Sequence, residues 1–103
     1  MKIPVHMFAF MNGEIREVDI PDVNVKQAED IYDFLELVFH YGQNDFQPMS
    51  MPSISVGDVA EYKVGDQKYW IVASAGFRPI SEDEFQKYSA EAPLGFKAYQ
   101  IED

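Results

Sequence analysis

Tyr69–Ala73, read YWIVA, is a run of five apolar residues with no polar break. Successive side chains of a strand point to opposite faces, so a strand with one wet face alternates, and an unbroken aromatic and β-branched run needs cover on both sides. The run predicts an interior strand with other elements packed above and below it. Before it, Ala60, Tyr62 and Val64 alternate with polar residues, and Gly65-Asp66 supplies a tight turn, so the two segments form a hairpin. Gly57-Asp58 marks where that hairpin begins. Beyond it, Gly76 permits a bend or bulge, and Pro79 limits further ladder pairing.

The rest of the chain is read around this hairpin. Val5–Met11 predicts a strand, Asn12-Gly13 a turn and Ile15–Ile20 the returning strand. Of two registers, a three-residue loop with a bulge is preferred, because it sets Phe8 and Phe10 beside Val18 and Ile20. Asn24 with Gln27 resembles a helix cap, and Ala28, Ile31, Tyr32, Leu35, Val38 and Phe39 recur at helical steps, predicting one long helix closed by a left-handed Gly42. Residues 43–52, with two prolines and no periodicity, read as a loop. Ser81 with Glu84 forms a capping box for a short helix carrying Phe85 and Tyr88, ended by Pro93 and Gly95, and FKAYQI reads as a last strand. The order predicts a single α+β domain over residues 1–103. Its mostly antiparallel sheet of four to five strands is packed by one long helix, with a short second helix near the C-terminus.

Charge and composition narrow the function. Eighteen acids against eight bases give a net charge of −10, yet 47% of the residues are hydrophobic, which a disordered acidic tail would not carry. Glu14, Glu17, Asp19, Asp22, Glu29, Asp30, Asp33 and Glu36 gather in residues 14–36 against only Arg16 and Lys26. Such a surface repels phosphate backbones, so direct nucleic-acid binding is not expected, whereas a basic protein partner is attracted. The absence of cysteine excludes disulfides and thiol catalysis. MKIPVHMFAFMNG reads as a first strand rather than a leader, and no segment has the roughly 20 apolar residues of a membrane span, so a cytoplasmic protein is expected.

Catalytic constellations are hard to find. His6 and His40 lack metal-ligand spacing, and His40 suits the C-terminus of a helix. Ser53, Ser55 and Ser74 have no nucleophile elbow, and Gly57, Gly65 and Gly76 are too dispersed for a phosphate loop. No catalytic, cofactor or metal residues are assigned. Two features suit a partner instead: the carboxylate row Glu29, Asp33 and Glu36, and the loop residues Asp45, Phe46, Met49 and Met51, where adaptable methionines flank an aromatic. Each also has a bland reading, as a solvated helix face and as cover for the core.

The segments DFLELVFHYGQND, SISVGDVAEY and KYWIVASAGFRPI, following an N-terminal strand pair, resemble the YodL-like family of small bacterial and mobile-element proteins. The resemblance covers roughly residues 1–85, and its most specific portion is SVGDV followed by YWIV and GF. It implies an accessory protein of a phage, plasmid or integrated element, and it transfers no enzymatic residues. The expected function is a non-enzymatic protein-interaction module, monomeric or weakly dimeric and without cofactor, in its sharper form an acidic inhibitor of a basic host protein. The alternatives are a small-ligand or RNA-binding module and, third, an enzyme in which His6 or His40 meets a buried carboxylate in a pocket.

Overall fold

The computed structural model describes residues 1–9, 14–43, 54–74 and 76–92. Among the described residues, five strands form one sheet: β1 (Lys2–Met7), β2 (Glu14–Asp19), β3 (Val59–Val64), β4 (Gln67–Ala73) and β5 (Gly76–Ile80). Every pairing is antiparallel, in the order β2-β1-β3-β4-β5. The helices are α1 (Asp22–Gln27), α2 (Ile31–Tyr41) and α3 (Glu82–Glu91).

YWIVA lies on β4, inside the sheet, and both its faces are buried. Trp70 and Val72 join Val5, Val18, Ile20 and Ala60 beneath Phe34, Leu35 and Val38 of α2. Tyr69, Ile71 and Ala73 join Phe8, Val59 and Ile80 beneath Phe85 and Tyr88 of α3. The sheet is therefore the middle of three layers. The one polar atom of the Trp70 ring is satisfied within it, since Nε1 donates to the Tyr62 carbonyl at 2.9 Å.

The single long helix expected from the sequence is in fact two short ones, of six and eleven residues. Ala28 turns extended, and Asp30, not Asn24, caps the helix that packs the sheet. The Asp33 amide donates to Asp30 Oδ1 at 2.9 Å, and the Glu29 amide donates to Asp33 Oδ2 at 3.2 Å. Two carboxylates thus satisfy amides that an uninterrupted helix would bond internally. The new start rotates the buried stripe: Phe34 goes inward, 4.5 Å between ring centroids from Tyr62, while Tyr32 is exposed. α1 buries no residue and is tied to α2 by Tyr41 Oη donating to Asn24 Oδ1 at 3.3 Å.

Three further expectations are corrected. In β1–β2, His6 faces Ile15 and Ile3 faces Val18, so Phe8 packs on the α3 side while Val18 and Ile20 pack on the α2 side, the reverse of the preferred register. Gly76, at φ +118°, opens a fifth strand against β4, and Pro79 is accommodated because β5 is an edge strand among the described residues. Gly42 has φ −80°, which any residue adopts. Its constraint is space, since a Cβ there would overlap Ile54 Cδ1 and Cγ1. The capping box is present as read: Ser81 and Glu84 bond reciprocally at the start of α3. The proposed last strand FKAYQI, like Phe10, lies outside the described residues.

Alanine at a helix end ordinarily gains up to about 1 kcal/mol over glycine, but overpacking costs about 1–3 kcal/mol. The overlap with buried Ile54 decides the sign. Gly42→Ala is expected to destabilise the protein by about 1–2 kcal/mol in urea unfolding, and most of that loss is expected to vanish in an Ile54→Ala background.

Candidate functional site

The acidic residues singled out from the sequence gather where α1 meets α2, but they do not form one helical row. Glu29 lies in the break between the helices, Asp33 in the first turn of α2 and Glu36 one turn later. All three are exposed, as is Asp30. Among the described residues no Lys or Arg forms an ion pair with any of the four. Two hollows flank this elbow. One of about 300 Å³ is lined by Glu29 and Asp30 over Val25, Ile31, Phe34 and Tyr62, and one of about 210 Å³ by Asp33 and Glu36 with Asn24 and Leu37. Asp45, Phe46, Met49 and Met51 lie outside the described residues.

His6 meets a carboxylate that sequence reasoning did not pair with it. Nε2 lies 2.9 Å from Glu61 Oε1 across β1 and β3, and Lys68 Nζ lies 3.8 Å from the other Glu61 oxygen. The imidazole is walled by Phe85 at 4.8 Å, Phe8 at 5.9 Å and Tyr69 at 6.3 Å between ring centroids. The pair sits under α3, whereas the elbow hollows lie on the α2 side. It fixes an aromatic cluster between the sheet and α3, with the half-buried Glu61 at its rim. His40 is exposed in the last turn of α2, where a cation complements the helix dipole.

The most unusual carboxylate is Asp58, which is fully buried. Its Oδ1 accepts from the Ala9 amide at 3.0 Å and its Oδ2 from the Ser55 amide at 2.8 Å, so it ties the chain leaving β1 to the turn entering β3. Gly57, at φ +103°, gives the turn its shape, and Val72 brackets it by two backbone bonds of 2.9 Å. Burial pushes the Asp58 pKa up to about 6, against the opposing pull of the backbone amides and the buried Arg16. The SVGDV segment is thus a structural staple. Its sequence carried no distinguishing signal, because Asp in a Gly-Asp pair before a strand is an ordinary turn residue.

Among the described residues, no three His, Asp or Glu side chains are placed to hold a metal ion, and no helix is long and apolar enough to cross a membrane. Comparison of the chain with protein-family models, curated proteins and solved structures finds no match.

A buried acid whose pKa is higher in the folded than in the unfolded state binds its proton more tightly when folded. Its contribution to stability therefore grows as pH falls through about 6 and levels off near the unfolded value of 3.8. The full span is about 3 kcal/mol. Asn cannot accept from both amides, so Asp58→Asn is expected to cost about 1–3 kcal/mol at pH 7. The gap to wild type is expected to widen in urea melts taken from pH 7 to pH 4.

Proposed function

We propose that this protein is a non-enzymatic interaction module that binds a basic protein surface through the acidic elbow of α1 and α2. The observation that carries this reading is the combination at that elbow: exposed carboxylates with no Lys or Arg ion-paired to them among the described residues, set around hollows with apolar walls. Cationic side chains of a partner would pair with the carboxylates, and the apolar walls would receive neighbouring side chains and exclude water around the contacts. The net charge of −10 steers a basic partner toward this surface and disfavours nucleic acid.

Together with the YodL-like resemblance, this makes the protein an accessory factor of a phage or mobile element acting inside the cell, its partner a protein of the host or of the element. In its sharpest form the elbow imitates nucleic-acid charge toward a basic enzyme and inhibits by occupancy. The contribution of the 43–52 loop belongs to the same proposal.

Affinity capture from the native host, comparing wild type with Glu29→Gln/Asp33→Asn/Glu36→Gln, tests the reading. A captured basic protein is expected to lose about tenfold or more in affinity for the triple variant, and its affinity for wild type is expected to fall as salt rises. Undiminished binding by a triple variant of native stability overturns it.

A further inference from the structure

A pocket of about 340 Å³ lies between α2 and the β4–β5 turn. That volume is at the lower end of small-molecule sites, and a cavity of about 150 Å³ already admits benzene, so the space suits a body of one or two rings. Its walls are apolar: Phe39 from α2, Val56 before β3, Val72 from β4 and Phe77 from β5. Among the described residues Glu36 is its only charged lining residue, and Glu36 and Ser74 are both exposed, which sets the mouth of the pocket. Gly76 borders the same mouth, where a Cβ at its position would stand at ordinary contact distance, 4.0 Å, from Glu36 Oε1.

Charge selects among the molecules that fit. An anion would meet Glu36, Asp33 in the adjoining hollow and the field of a chain carrying −10. A neutral apolar molecule would gain the walls but crowd a carboxylate that has no ion-pair partner among the described residues. An ammonium on an apolar body satisfies both features. We propose that this pocket binds a small organic monocation, its rings against Phe39, Val72 and Phe77 and its ammonium at the Glu36 carboxylate. The site goes beyond the elbow reading, since its ligand is a small molecule and its walls belong largely to the sheet.

Tryptamine and its anionic analogue indole-3-propionate, titrated separately into the full chain and followed by amide NMR shifts, test the proposal. Tryptamine is expected to bind with a Kd on the order of 1 mM, as its small size allows, with shifts centred on Phe39, Val72, Gly76 and Phe77. Glu36→Gln is expected to weaken it about three- to tenfold, and Glu36→Lys to abolish it while admitting indole-3-propionate. Glu29→Gln removes the same charge outside the pocket and is expected to leave tryptamine binding unchanged. Equal binding of amine and acid by wild type, equal weakening by Glu29→Gln and Glu36→Gln, or no saturation below about 10 mM tryptamine overturns the proposal. If those failures occur while the triple elbow variant still loses its basic protein, only the pocket proposal falls.

Discussion

The burial of both faces of β4 is the constraint on which the rest of the structure depends. Tyr69, Ile71 and Ala73 project to one side, Trp70 and Val72 to the other, and all five are buried. Full burial of a large apolar side chain is worth roughly 1.5–3 kcal/mol, so a sheet covered on one side alone would forgo several kcal/mol on the other. Two separate covers follow. α2 brings Phe34, Leu35 and Val38 to the tryptophan side, and α3 brings Phe85 and Tyr88 to the tyrosine side, where the Tyr69 and Phe85 rings stack 3.9 Å apart. α1 has no fully buried residue and touches the core only at its margin, through the half-buried Val25.

Features written in contiguous residues were legible in the sequence. The YWIVA run, the Gly65-Asp66 turn and the Ser81/Glu84 capping box each depend on neighbours a few positions away, and each stands where the pattern put it. The misread features depended on competition or on distant partners. The periodicity from Ala28 to Phe39 favoured one helix, but Asp30 and Asp33 offered the backbone amides a local alternative and split it. The β1–β2 register was set by which layer had room for Phe8, and that layer comes from Val59, Tyr69 and Phe85, far along the chain. Gly42 does stand at the C-cap of α2, but its conformation is right-handed, and the need for glycine there comes from the closeness of Ile54.

The candidate site divides in the same way. That Glu29, Asp33 and Glu36 are exposed follows from their type and spacing, so their exposure was legible. The hollows between and beside them were not, because Tyr62, Val72 and Phe77 reach them from strands that only the folded sheet brings beneath α2. His6 and Glu61 stand 55 positions apart and meet only because β1 pairs with β3. Asp58 was hidden for the opposite reason, since Gly-Asp before a strand looks like any turn until Ala9 and Ser55 are seen donating to the carboxylate.

The acids of this chain are thus sorted by what already occupies their oxygens. Asp58 has both oxygens engaged by backbone amides and is closed off from solvent, so it can serve only the fold. Glu61 divides its oxygens between His6 and Lys68. Asp30 gives one oxygen to the Asp33 amide in capping α2, and Asp33 gives one to the Glu29 amide in the break, which fixes their positions but halves what they can offer a partner. Glu29 and Glu36 have no side-chain hydrogen bond or ion pair among the described residues. An exposed carboxylate whose acceptors are not taken by its own protein keeps its affinity for an external cation. The break at Ala28–Asp30, which the helix pattern did not announce, leaves one such residue, Glu29, in the elbow itself, while Glu36 on α2 stands over a pocket with apolar walls.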